Sequence, residues 1–261
     1  MNYHEQVLTP ITTAVLLAAG TGSRLYPLTQ NAPKCMTIVN GVSILGRLVT
    51  CLKQQGFKKL IIVTGHLQDH LKNYLGTESE DLKIEYVFSP KYKTTNNIYS
   101  LWMARELINE PFVLLESDLI FDESLLSEML SPDRMAVSVM EPWMNGTTVT
   151  VSPTSNVKAF FDSKAKKTAE KKYKTVNIYS FSLKSWKAIL KRLDQHISAG
   201  NVNDYYEVVF ANMVDDKTLS FDAVSFDSEP WYEIDTLDDL SKAEKLFTLN
   251  GYEDVAIKAA I

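Results

Sequence analysis

The sequence predicts an α/β fold with a mostly parallel sheet flanked by helices, and three observations predict it. Short apolar runs recur at Ala14–Leu17, Leu60–Thr64, Ile84–Phe88 and Phe112–Leu115, each suited to a strand buried on both faces. Between them, Ser43–Gln55, Asp69–Tyr74 and Tyr99–Ile108 carry apolar residues at helical spacing. Strand, helix, strand in that order is the pattern of parallel pairing through right-handed crossovers.

The second half reads differently. Strands are expected at Ala136–Met140, Thr147–Val151, Val157–Phe161 and Thr175–Phe181, where the spacing is closer to hairpins. Helices are expected at Lys184–His196 and Leu237–Phe247. The basic run Lys164–Lys174 reads as a solvated loop, with one exception given below. After Phe247 the pattern weakens.

Bulk composition narrows the function. A chain of 261 residues, 45% hydrophobic and 23% charged, has the make-up of an ordinary globular protein with a proper core. Its apolar runs fall short of a membrane span, and MNYHEQVLTP lacks the regions of a signal peptide, so a cytoplasmic location is expected. Cys35 and Cys51 have neither metal-binding nor redox spacing and are expected to stay reduced. The net charge of -5 argues against nucleic acid as a partner. A polyphosphate could be bound only by a few local cations, backbone amides and a metal.

The stretch LAAGTGSRLYPLTQNAPKCM, Leu17 to Met36, offers those groups. It leaves the first apolar strand at the carboxyl edge, where ligands bind in open α/β sheets. Leu17 closes the strand. Ala18, Ala19, Gly20, Thr21, Gly22 and Ser23 then keep side chains small, so that N–H groups can approach an anion. Arg24 adds a forked cation, and Lys34, stiffened by Pro33, adds a point charge. The spacing is neither a Walker loop nor GxGxxG. Asp118, just past the run Phe112–Leu115, could hold Mg²⁺ or cap a turn. Asp235 is equally ambiguous, because Thr236 and Asp239 could form a capping box beside it.

The whole string LAAGTGSRLYPLTQNAPKCMTIV resembles the signature loop of the sugar-1-phosphate and choline-phosphate nucleotidyltransferases, in which AAGxGxR precedes PLT and PK. The resemblance continues more weakly to about Phe247. It implies a single Rossmann-like nucleotidyltransferase domain over residues 1–248, with a small acceptor-binding β subregion and a tail or linker at 249–261. It also implies that a nucleoside triphosphate is joined to a phosphorylated metabolite with loss of pyrophosphate. By position, Gly20–Arg24 would hold the β and γ phosphates, Lys34 the α-phosphate, and Asp118 with Asp235 the Mg²⁺. Lys34 and Arg24 are thus the catalytic candidates.

Within the family, TTNNIYSL resembles the choline-phosphate branch, which implies CTP with Asn96 and Asn97 as base or ribose contacts. FDSKA resembles a stretch whose lysine, here Lys164, holds the incoming phosphate. VNDYYEVV supplies Asp204 and Tyr206 as candidates for the amine end of the acceptor, although a helix start would use the same residues. TVNIYSFS is most similar to the 2-aminoethylphosphonate cytidylyltransferases. That similarity implies a small phosphonate or phosphate acceptor, and in that family the domain can be fused to an aminoethylphosphonate transaminase. A homo-oligomer is compatible with this reading. The competing readings are a phosphocholine cytidylyltransferase, a sugar-1-phosphate nucleotidyltransferase and a non-catalytic nucleotide sensor.

Overall fold

The structure is a computed structural model, and it describes residues 9–141, 144–162 and 170–247. Its strands are β1 (Thr13–Ala18), β2 (Ile38–Val39), β3 (Val42–Ser43), β4 (Lys59–Thr64), β5 (Glu78–Ser79), β6 (Leu82–Phe88) and β7 (Phe112–Glu116). They continue as β8 (Leu119–Phe121), β9 (Arg134–Val139), β10 (Thr148–Val151), β11 (Val157–Phe161), β12 (Lys172–Phe181), β13 (Asp222–Ser225) and β14 (Trp231–Glu233). The helices are α1 (Ile44–Gln54), α2 (Gln68–Leu75), α3 (Asn97–Met103), α4 (Glu123–Ser127), α5 (Leu183–Ser198), α6 (Glu207–Asp215) and α7 (Leu237–Leu246). None of these helices is long and apolar enough to cross a membrane.

The main sheet runs β11-β10-β12-β7-β1-β4-β6-β5. Its centre is parallel, β1 lying between β4 and β7 with β6 beyond β4. β12 joins antiparallel to β7 and carries the hairpin-like strands onward. This is the expected mixed, mostly parallel sheet flanked by helices.

Strand periodicity builds two cores from one sheet. In β1, Ala14, Leu16 and Ala18 pack on one face, and Val15 and Leu17 on the other. β4 divides the same way, Leu60 and Ile62 against Ile61 and Val63. An alternating backbone between two helical layers needs apolar residues at every position, so these strands read as continuous runs. Ser43 caps α1 by accepting from the Gly46 N–H, and the helix lays Leu45, Leu48 and Leu52 on the first face.

A small third cluster holds Leu25, Ile120, Tyr232, Ile234 and Ala243. It clamps a two-stranded ladder that the sequence did not reveal. In it β8 pairs antiparallel with β14, with Leu119 opposite Glu233. That ladder positions the site.

Candidate active site

The open edge beyond β1 leads into a cleft of about 590 Å³. One wall is the turn after β1 together with the start of α3. The other comes from the antiparallel strands, with Thr147, Lys174 and Asn177, and from Glu207 at the start of α6.

The turn is shaped by Gly22, which has φ +63°. A Cβ there would lie 3.1 Å from Lys34 Cβ and 3.2 Å from Thr29 Cγ2, so only glycine lets Lys34 close on the turn. The Thr29 hydroxyl donates to the Gly22 carbonyl at 2.8 Å and locks it. At Gly20, by contrast, a Cβ would meet no protein atom within 4 Å. Gly22 is needed for packing, and Gly20 faces space.

Lys34 begins a short 3₁₀ turn, Lys34–Met36, right after Pro33. Its ammonium donates to Asp118 Oδ2 at 2.7 Å and to Asp235 Oδ1 at 2.6 Å. Burial works against that charge, but the two carboxylates outweigh it and raise the lysine's pKa. The Arg24 guanidinium donates to the same Asp235 oxygen at 2.7 Å. The four residues singled out from the sequence as cationic and acidic candidates therefore meet at one point.

The β8–β14 ladder explains how. The Ile234 N–H donates to the Asp118 carbonyl at 2.9 Å, so each aspartate sits beside the end of its partner's strand. Asp235 also precedes α7, whose capping box between Thr236 and Asp239 is present. The two sequence readings of this stretch are both realised: Thr236 caps, and Asp235 faces the cleft.

Glu233 was not anticipated. One carboxylate oxygen from each of Asp118, Glu233 and Asp235 falls within 4.8 Å of the others. The signal was in YEID: two residues apart along an extended chain, Glu233 and Asp235 point the same way. Asp118 Oδ1 is buried and accepts no hydrogen bond. An orphaned carboxylate oxygen in a cluster of hard oxygen donors fits Mg²⁺, which needs only one or two protein carboxylates beside phosphates and waters. Those residues could hold it.

The asparagines do more than line the cleft. Asn96 caps α3, its side-chain oxygen accepting from the Asn97 N–H at 2.8 Å. Asn97 donates to Glu116 Oε1 at 3.1 Å and accepts from the Tyr206 N–H at 3.1 Å. Both still face the cleft, and each amide nitrogen has a second N–H to offer a ligand. Glu116 is held well above the usual carboxylate range by burial and by nearby Asp118.

The acceptor candidates separate. Tyr206 is fully buried, its ring packed on Tyr179 and Phe210 in the core, and it does not line the cleft. Asp204 lies 2.7 Å from His196 Nε2 and is not part of the cleft wall either. Lys164 lies outside the described residues. Charged residues that do line the cleft on that side include Lys174 and Glu207. Lys174 is 3% exposed, donating to the Thr175 carbonyl at 2.8 Å and lying 3.3 Å from Glu233 Oε2. The sequence places it in the solvated basic run, but the strand β12 begins at Lys172 and carries it inward.

A glycine turn feeding two cations onto paired carboxylates, at the carboxyl edge of an open sheet, is the equipment of a phosphate-handling α/β domain. The chain belongs to the nucleotidyl transferase family, whose model matches residues 13–248. It is 28% identical over 261 residues to a CMP-5'-(3-aminopropyl)phosphonate synthase of Streptomyces rubellomurinus, covering 95% of this chain and 41% of that protein. The chain thus spans less than half the length of that relative. It is 27% identical to a CTP:phosphoglutamine cytidylyltransferase of Campylobacter jejuni, covering 87% of this chain and 97% of the relative. The CTP:phosphocholine cytidylyltransferase structure from Streptococcus pneumoniae superposes with TM-score 0.77 at 24% identity, covering 91% of this chain and 99% of that one.

Proposed function

We propose that this chain transfers CMP from CTP to 2-aminoethylphosphonate, releasing pyrophosphate. The family makes it a nucleotidyltransferase, and relatives whose names pair CTP or CMP with phosphonate and phosphate acceptors support the cytidylyltransferase reading. The observation that carries the reading is Lys34, half-buried at the mouth of the glycine turn and bonded to both Asp118 and Asp235.

The phosphonate oxygen is already anionic near neutral pH, so no general base is required. Its oxygen forms the new bond to the α-phosphorus as the bond from that phosphorus to pyrophosphate breaks. Backbone N–H groups of Gly20–Ser23 and the Arg24 guanidinium hold the β and γ phosphates and take the charge of the leaving group. Lys34 leaves its carboxylate pairing to stabilise the α-phosphate as it gains a fifth oxygen. Asn96 and Asn97 present amide N–H groups to the base or ribose, and their contacts with Asn203 and Glu116 fix where those groups point. Lys164 is retained as a ligand for the incoming phosphonate. Asp118 and Asp235, with Glu233 beside them, would hold Mg²⁺, which would supply charge neutralisation and alignment of the phosphates.

Phosphocholine is the second reading, supported by the relative from Streptococcus pneumoniae. A quaternary ammonium calls for a cage of aromatic faces. Among the described residues the cleft wall has two aromatic rings, Tyr92 and Tyr205, and Tyr205 is 58% exposed. That wall suits a primary ammonium better. The test is pyrophosphate release with CTP, UTP, dTTP or GTP against 2-aminoethylphosphonate, 3-aminopropylphosphonate, phosphocholine and glucose 1-phosphate. Highest kcat/KM with CTP and 2-aminoethylphosphonate is expected; preference for another pair replaces this assignment.

A further inference from the structure

Six carboxylates line the cleft (Glu116, Asp118, Asp162, Glu207, Glu233 and Asp235) against three described cations, Arg24, Lys34 and Lys174. The excess needs a physical reason, because the expected substrates bring several negative charges. Asp118, Glu233 and Asp235 form the cation cluster described above, and Glu116 is engaged by Asn97. Glu207 accepts from Thr147 and from its own backbone N–H, but no cation is seated on it. It is 8% exposed, lines the cleft, and makes no ion pair within 4.0 Å among the described residues. Lys174, its nearby cation, is drawn away to Glu233 and the Thr175 carbonyl.

Burying a carboxylate is costly unless a partner arrives. Neither the nucleotide nor the phosphonate end of an acceptor would favour an anion at this place. A positively charged nitrogen would, and a primary ammonium has three donors for a carboxylate and its neighbours. The position fits: Glu207 lines the cleft with Thr147 and Lys174, and Lys174 lies 3.3 Å from Glu233 of the cation cluster.

We propose that Glu207 is the specificity-determining residue for the acceptor, its carboxylate holding the cationic amino group of a zwitterionic aminoalkyl phosphonate or phosphate. This takes the place assigned from the sequence to Asp204, three residues earlier, whose carboxylate is turned to His196. It deepens the function proposed above and rests on it for the reaction, while its test depends only on the acceptor's charge. A sugar phosphate would leave Glu207 buried opposite a neutral ring, and so is selected against.

The experiment measures pyrophosphate release from CTP by wild type, Glu207→Gln and Glu207→Asp, using acceptor pairs that differ only in the charged nitrogen. The pairs are 2-aminoethylphosphonate with propylphosphonate, and phosphocholine with 3,3-dimethylbutyl phosphate. Wild type should prefer the cationic member of its working pair in kcat/KM by roughly 10- to 100-fold, the scale of one charged hydrogen bond. Glu207→Gln should erase that preference by losing only the cationic acceptor, with KM for CTP and turnover of the neutral analogue held within about twofold. Glu207→Asp should restore part of it. If wild type works on the phosphocholine pair alone, the aminoethylphosphonate assignment fails while Glu207 is still tested. An unchanged preference in Glu207→Gln, an equal loss with both members, or no preference for a cation in wild type would each overturn the role given to Glu207.

Discussion

A side chain on Gly22 would touch Lys34: the built Cβ lies 3.1 Å from Lys34 Cβ, at a φ of +63°. The phosphate turn and the α-phosphate lysine are therefore one packed unit. Gly22→Ala should cost stability of about 1 kcal/mol through the left-handed backbone alone, and turnover should fall roughly 10- to 100-fold because Lys34 is displaced. Gly20→Ala, with open space around it, should fold as stably as wild type within about 0.5 kcal/mol. Thermal melts of both variants check the contrast; equal destabilisation would contradict the packing.

Lys34→Ala should lower kcat by two to three powers of ten, the scale seen when one preorganised charge-stabilising donor is lost. It should also leave Asp118 and Asp235 facing each other without their shared cation. The melting temperature of this variant should then become more sensitive to added Mg²⁺ than that of wild type, because the ion would replace the missing charge. Near-normal kcat at saturating CTP would remove Lys34 from the mechanism.

Asp118→Asn, Glu233→Gln and Asp235→Asn test the metal cluster. Mg²⁺ should raise the melting temperature of wild type, since a ligand that binds only the folded state stabilises it. The shift should be lost in the Asp118 and Asp235 variants and reduced in the Glu233 variant, alongside Mg²⁺-dependent turnover. A full shift in Asp118→Asn would mean that its orphaned Oδ1 is not a ligand atom.

The parts legible in the sequence were those with local signatures. Continuous apolar runs gave the central strands because a sheet covered on both faces needs them. The loop Leu17–Lys34 was readable because small residues and cations at fixed spacing have few other uses. The β8–β14 ladder was not readable: each strand is three residues long, too short for periodicity to speak. Glu233 was missed with it, since its position depends on that pairing. Lys174 was read as part of the solvated basic run, and only the strand boundary at Lys172 reveals it as buried. Of the acids in VNDYYEVV the sequence favoured Asp204, but its carboxylate turns to His196 while Glu207, at the helix start, lines the cleft.

Glu207 also makes a prediction about stability. Burial pushes its carboxyl up to about 7 from an ordinary 4.5, partly opposed by Lys174 and by hydrogen bonds from its own backbone N–H and Thr147. Lys174 and Glu233 face it from the neighbouring strands, and Tyr179 and Tyr206 lie behind it, their hydroxyls held neutral well above the usual tyrosine range. Between pH 4.5 and 7 the folded state keeps a proton that the unfolded chain has released, so stability falls as pH rises through that window. Above it, the charged form costs the fold on the order of 3 kcal/mol. Glu207→Gln removes the titration, so the variant should melt several degrees above wild type at pH 8 and converge toward it near pH 5. Melting curves at the two pH values read this directly, and a gap that stays constant between them would show that the buried carboxyl does not carry the strain. The same substitution that abolishes the amine preference would then stabilise the protein, as expected when a group is retained for binding at the expense of the fold.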